Sequence, residues 1–330
     1  MTDLTHAHDR SAVLIAGSAN LDFVVRASHV PAPGETVLGR ELATFPGGKG
    51  ANQAIACARA GGAATRMLLA LGEDAYAKPI ERSLRESGVE LHIHRSREHA
   101  TGTAFICVSD QGENAITVAP GANQTLRDND LPDLSGIGYL LLQLESPLDA
   151  VEAWAHRARA AGVSVVLNAA PARELPDSLL ACVDLLVVNE GELAVLTGIG
   201  DDIDAALARI AAPKVVVTLG ARGCRARIDG AALQQAAFAI DPVDTTAAGD
   251  TFCGTLVAAL AQGDGFAAAL RRASAASALA CTRLGAQTSV PTRVEVDRLL
   301  QIASDETTAT GASKSFVGGA SAPTLFEPTR

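Results

Sequence analysis

Short apolar runs recur along this chain at intervals filled by helix-length segments, and that rhythm restricts what it can fold into. Residues 13–17, 67–72, 139–144, 163–167, 183–188 and 215–219 each read as a buried strand. Between them lie periodic Ala/Leu/Arg segments at 51–60, 78–87, 150–161 and 204–211. Strands of continuous apolar character need cover on both faces, and alternating helices supply it. The pattern predicts an α/β fold, a Rossmann-like, doubly wound, mostly parallel sheet.

Two stretches break the rhythm. Residues 23–44 hold Pro31, Pro33, Gly34 and Gly39, and residues 91–120 alternate apolar and polar positions around a turn signal at 110–112. Alternation suits strands with one wet face, so both stretches are assigned to a small β-sheet lid subdomain. Residues 1–11 are expected to be a flexible N-terminus. From 304 to 330 the chain turns to Thr, Ala, Gly, Ser and Pro without periodicity, which predicts a disordered tail.

The formal charge of −10 opposes nonspecific nucleic-acid binding. An anionic ligand would need a local pocket of backbone amides, a metal ion or a few basic residues. The six cysteines, at 57, 107, 182, 224, 253 and 281, show neither zinc-ligand spacing nor a secreted disulfide framework. The N-terminus lacks the basic-then-apolar order of a signal peptide, and no apolar run reaches the roughly 20 residues that span a bilayer. The expectation is a reduced, cytoplasmic protein without a membrane partner.

In open α/β sheets ligands bind beyond the carboxyl ends of the strands, which directs attention to Asn20, Asp22, Glu145, Asn168, Asn189 and Gly220. The most informative segment is DTTAAGDTFCG, residues 244–254. Its small residues Ala247, Ala248 and Gly249 lead into an apolar helix that begins near Asp250. Backbone N–H groups at a helix N-terminus form a donor array for an anion. A carboxylate beside that array can take a proton from an attacking hydroxyl. Without the small residues, Asp250 would read as a plain helix cap.

Four further segments carry polar groups suited to a ligand. GGKGANQA (47–54) is not a P-loop, because Gly50 follows Lys49 where that motif needs a hydroxyl after the lysine. Its glycines, Gly48 among them, permit backbone approach, and Asn52 and Gln53 in the next helix's first turn can face the same pocket; a glycine turn with a solvated lysine is the alternative. GSANLD (17–22) places Asn20 and Asp22 two apart, able to hold adjacent hydroxyls, or simply to form an Asx turn. NEGE (189–192) brings Asn189 and Glu192 onto one side of a helix start, where they suit the water shell of Mg²⁺. TLGARG (218–223) is a strand-end glycine turn. No G-x-G-x-x-G follows the first strand, which argues against a dinucleotide oxidoreductase.

Taken with LLQLE, NAAPARELPD and RLGAQTSVP, these motifs stand in an order and spacing that resembles the ribokinase/phosphofructokinase-B sugar kinases over residues 12–303. The resemblance implies a ribokinase-like fold and ATP-dependent phosphorylation of the terminal 5-hydroxyl of D-ribose. Deoxyribose, another pentose or a nucleoside are the alternative acceptors, and a noncatalytic sugar-binding protein on the same scaffold is the alternative class. It implies Asp250 as base, with Ala247, Ala248 and Gly249 as anion hole. Asn20, Asp22, Gly48, Lys49, Asn52 and Glu145 would hold the sugar. Asn189, Thr218, Gly220, Gly223 and Gly249 would hold ATP, and Glu192 would place Mg²⁺ through water. A monovalent cation, K⁺, would fall to Asp244, Thr246, Ala280, Arg283, Gly285 and Ser289. The lid implies a homodimer. One departure is Ser274, where family members often carry a longer Asn or His beside the adenine.

Overall fold

A computed structural model describes residues 11–314, with side chains through Asp305; the expectations for residues 1–10 and 315–330 lie outside the described residues. The chain opens with β1 (Ala12–Ala16), β2 (Asn20–Arg26) and β3 (Glu41–Gly47), then α1 (Lys49–Ile55), which runs into a π-helical turn at Ala56–Ala60. Next come β4 (Thr65–Gly72), α2 (Ala77–Glu86), β5 (Glu90–Ser96), β6 (Gly102–Val108), β7 (Asn114–Ala119) and β8 (Ile137–Leu142). The middle of the chain supplies α3 (Leu148–Ala160), β9 (Ser164–Asn168), α4 (Asp177–Leu180), β10 (Leu185–Asn189), α5 (Glu190–Thr197) and α6 (Ile203–Arg209). It closes with β11 (Lys214–Thr218), β12 (Cys224–Ile228), β13 (Ala231–Gln235), α7 (Ala248–Ala261), α8 (Phe266–Cys281) and α9 (Arg293–Lys314).

Nine strands form the main sheet in the order β13-β12-β11-β10-β9-β8-β1-β4-β5. The seven from β11 to β5 run parallel, and β12 and β13 add an antiparallel edge. Successive side chains leave a strand on opposite faces, so each apolar run feeds two cores. Ile15, Met67, Leu69, Leu141 and Val187 pack with Ile55, Phe252, Leu256 and Leu270. Leu14, Leu68, Leu140, Val165 and Val188 pack with Trp154, Leu193 and Leu207 on the other face. Among the described residues no helix is long and apolar enough to cross a membrane.

The second sheet is the lid, in the order β3-β2-β6-β7. The boundaries differ from expectation in two places. Residues 91–96 alternate because β5 is the half-buried edge of the main sheet, paired parallel with β4, and they do not belong to the lid. The lid instead starts earlier, at Asn20, and β3 runs on to Gly47. Residues 304–314, read as tail because they carry no apolar period, continue the helix α9.

Candidate active site

The winding of the sheet reverses between β8 and β1, which opens a crevice outside their carboxyl ends. Side chains from both ends meet across it. Ser18 Oγ donates to Glu145 Oε2 at 2.5 Å, and the Lys49 N–H donates to the same oxygen at 3.1 Å. Gly48 makes this junction possible. Its φ is +89°, and a Cβ there would lie 2.8 Å from both Ala19 Cα and Asn20 N, so only glycine lets α1 begin this close to the β1–β2 turn.

The first turn of α1 then reaches Asp250 on the first turn of α7. Asn52 Nδ2 donates to Asp250 Oδ2 at 2.9 Å, and Gln53 Nε2 donates to Asp250 Oδ1 at 2.9 Å. All three side chains are buried. Asn52 Oδ1 is buried without a hydrogen-bond partner among the described residues, an acceptor suited to a ligand hydroxyl. Asn20 is held by Asn123, whose Nδ2 donates to Asn20 Oδ1 at 2.8 Å and whose Oδ1 accepts from Ala19 N at 3.0 Å.

Four carboxylates and one ammonium share this space. Burial, reinforced by the charges of Glu145 and Asp250, pushes the Asp22 carboxyl up to about 7. The charge of Asp250 raises the Lys49 ammonium, against the opposing effect of burial and with smaller help from Glu145 and Glu192. Burial also raises Glu192. The lysine is thus the cationic centre of an acidic pocket.

Beyond Lys49 and Asp250 lies a cavity of about 500 Å³, lined among others by Asn189, Glu192, Thr218, Gly220 and the 247–250 segment. Ala247, the N-cap of α7, has φ +57° and ψ +13°, a left-handed conformation that costs an alanine about 1–2 kcal/mol. The turn aims α7 at the cavity. The Ala248 N–H goes to Thr245 O at 3.2 Å and the Thr251 N–H to Ala247 O at 2.8 Å. Gly249 and Asp250 are first-turn donors without an intrahelical acceptor, while the Ala248 amide, also expected in the anion hole, already meets Thr245 O. Ser277 Oγ on α8 donates to Ala248 O at 2.9 Å and steadies the turn.

Asn189 and Glu192 close a reciprocal cap on α5, each side chain accepting from the other's N–H at 2.8 Å. One oxygen of Glu192 is left over, which fits a water-mediated role toward a divalent cation. At the far end of the 244–249 loop, Asp244 Oδ2 accepts from Gly285 N at 2.9 Å and Oδ1 from Thr246 N at 2.8 Å. The Val243 and Asp244 N–H groups both reach Cys281 O. The two segments assigned to a monovalent cation, 244–246 and 280–285, are therefore adjacent. Their donor set of carbonyl and carboxylate oxygens fits a hard cation. Ala280 O also accepts from Arg283 N at 3.2 Å, and Ser289 Oγ donates to Ala286 O at 2.8 Å.

Two assigned nucleotide contacts stand apart. Gly223, at φ +88°, would clash through a Cβ with Gln235 O at 2.0 Å. It serves the turn from β11 into β12 and does not line the cavity. Ser274 is buried on α8, where its hydroxyl interacts with the Cys224 thiol, and it too is absent from the cavity wall. Conversely, Ser18, Asn123, Gln143 and Ser277 complete the site without having been singled out. Gln143 sits within LLQLE at the end of an apolar strand, a position the strand-end rule could have flagged; Asn123 has no local signal.

A doubly wound sheet, a β lid and a carboxylate at a helix N-terminus facing a cavity define a kinase of small molecules. The chain belongs to the pfkB family of carbohydrate kinases, whose sequence profile, described as pfkB family carbohydrate kinase, matches residues 10–293. It is 37% identical over 304 residues to ribokinase of Haemophilus influenzae, covering 88% of this chain and 99% of the relative. Among solved structures it resembles ribokinase of Thermotoga maritima, with a TM-score of 0.82 and 34% identity over 88% of this chain and 99% of that one. Arabidopsis thaliana ribokinase complexed with ribose and ATP superposes with a TM-score of 0.81 and 35% identity, over 87% of this chain and 98% of that one.

Proposed function

We propose that this protein transfers the γ-phosphoryl group of ATP to the 5-hydroxyl of D-ribose, giving ribose 5-phosphate and ADP. The observation that carries the reading is the position of Asp250. Its carboxylate lines the cavity beside Lys49 and is held from behind by Asn52 and Gln53. The relative complexed with ribose and ATP supports the choice of both substrates.

In this mechanism Asn20, Asp22, Asn52 and Glu145 hold the sugar, and Asp250 takes the hydroxyl proton as the new P–O bond forms. The bond from the γ-phosphorus to the β-phosphate oxygen breaks, ADP leaves, and Asp250 returns its proton to solvent. Lys49 and the N-terminus of α7 offset charge on the transferring group. Asn189, Thr218 and Gly220 line the nucleotide side. Bound Mg²⁺ would neutralise phosphate charge, with Asn189 and Glu192 holding its water shell. K⁺ beside Asp244 would steady the 244–249 loop.

A homodimer through the lid is part of the same proposal. By strand register, Ile116 and Val118 share a sheet face with Asp22, Val24 and Ile106, and both are exposed. A second lid laid on that face would bury them and shield the sugar side from water. Light scattering should report a dimer that Ile116→Asp converts to monomer; a monomeric parent protein would remove this part.

The test of the activity is a coupled ADP-release assay on D-ribose, 2-deoxyribose, fructose, adenosine and inosine with Mg²⁺, in K⁺ and in Na⁺. Turnover on ribose that rises with K⁺ is the expected result. Preference for another acceptor would overturn the ribose assignment, and equal rates in the two salts would remove K⁺. No turnover on any acceptor would favour a noncatalytic sugar-binding protein.

A further inference from the structure

Behind Asp250 runs a chain of buried amides that touches the cavity wall at Asn168 and ends at Gln143. Gln53 Nε2 donates to Asp250 Oδ1 at 2.9 Å and to Asn168 Oδ1 at 3.0 Å. Asn168 Nδ2 donates to the Val187 carbonyl at 3.2 Å. Gln143 Nε2 donates to Gln53 Oε1 at 2.6 Å. The side chains of Gln53 and Gln143 are almost completely buried.

The polarity of this chain is forced at every link. A backbone carbonyl only accepts, so Val187 O demands the NH₂ of Asn168 and turns its oxygen toward Gln53. An ionised carboxylate also only accepts. Gln53 therefore faces two acceptors and must present its NH₂ to both, which leaves its oxygen to find a donor. Gln143 supplies that donor. Were Gln143 an acceptor at this point, Gln53 would be driven to flip and would set its oxygen against Asp250 and Asn168. Gln143 Oε1 has no partner among the described residues. It is directed at the end of β1, where a Cβ on Gly17 would lie 1.9 Å from it. Gly17, the first residue of GSANLD, thus keeps the space that Gln143 occupies.

We propose that Gln143 is a positioning residue for phosphoryl transfer: through Gln53 it fixes the orientation of the Asp250 carboxylate, and Gly17 provides the room for it. The inference rests on the reading of Asp250 as the base. It assigns no contact between Gln143 and either substrate, so its effect belongs in kcat and leaves both KM values alone.

The experiment compares Gln143→Leu, Gln143→Glu and Gly17→Ala with the parent protein, with Asp250→Asn as reference in the same ADP-release assay. Gln143→Leu removes the donor and should lower kcat roughly 5- to 10-fold, about the worth of one hydrogen bond, with KM for sugar and ATP unchanged. Gly17→Ala should do the same by displacing Gln143. Gln143→Glu is the diagnostic variant. Its buried carboxyl titrates well above the usual carboxylate range, so at pH 6 its O–H donates to Gln53, while at pH 9 it is an acceptor. Its kcat relative to the parent protein should fall about tenfold or more between these pH values, as expected when a hydrogen bond is replaced by a carboxylate facing the Gln53 amide oxygen, acceptor against acceptor.

This pH ratio needs only the Gln143→Glu variant and the parent protein, and it stands even if Gln143→Leu does not fold. A flat ratio, or a Gln143→Leu enzyme with undiminished kcat, overturns the proposal. If Asp250→Asn is inactive while the Gln143 variants behave as the parent, the positioning role alone is wrong. If Asp250→Asn keeps full turnover, the base assignment falls and this proposal falls with it.

Discussion

Asn52 and Asp250, 198 residues apart in sequence, meet through a 2.9 Å hydrogen bond from Nδ2 to Oδ2 inside a buried junction of two helix starts. The bond gives Asn52 two tasks, because its Oδ1 has no hydrogen-bond partner among the described residues. A hydrogen bond to a charged group contributes about 1.5–3 kcal/mol. Asn52→Leu should therefore lower kcat/KM for the sugar roughly 10- to 100-fold, measured by steady-state kinetics. A change below twofold would detach Asn52 from the site.

Asp22 makes stability depend on pH. Its carboxyl, ordinarily at 3.8, is pushed up to about 7 by burial and by Glu145 and Asp250. Between these values the folded state holds a proton that the unfolded state has released. Stability from this group is complete below about pH 4 and is lost as pH rises through 7. Asp22→Asn removes the penalty, so the Tm gain over the parent protein, without ligand, should be larger at pH 8 than at pH 5. An equal gain at both values would show that Asp22 titrates normally. The same substitution should weaken sugar binding at pH 8, where the parent carboxylate is ionised.

Much of this architecture is legible in the sequence because buried parallel strands leave continuous apolar runs, as at 139–142 and 185–188. Asp250, Lys49 and Asn52 stand out for another reason: each lies in a short segment dense in glycines and small residues, which permit close approach of a ligand or of neighbouring backbone. The edge strand β5 misleads because a half-buried edge alternates like a lid strand. Asn123 is silent because its partner Asn20 lies 103 residues away, and Gln143, although placed at a strand end, gives no local sign of its partner Gln53, 90 residues away. Nor does sequence reveal that Gly223 guards a turn, since a strand-end glycine looks the same whether backbone or phosphate approaches it.

Ala247 stores strain at the cavity wall. Its φ of +57° disfavours any side chain, and replacing it with glycine should stabilise the protein by about 1 kcal/mol. Differential scanning calorimetry should then show Tm higher by about 2 °C. The freed turn would hold the Gly249 and Asp250 amides less firmly, so KM for ATP should rise. A lower Tm would mean that the left-handed turn carries no strain.

Asp250→Asn tests the central claim most directly. The asparagine preserves size and can still meet one of its two amide neighbours, but it cannot take the hydroxyl proton. Steady-state kcat on D-ribose should drop about 10²- to 10⁴-fold, while calorimetric titration shows sugar affinity within a few-fold of the parent protein. A variant that turned over ribose at nearly the parent rate would contradict the assignment of Asp250 as the base.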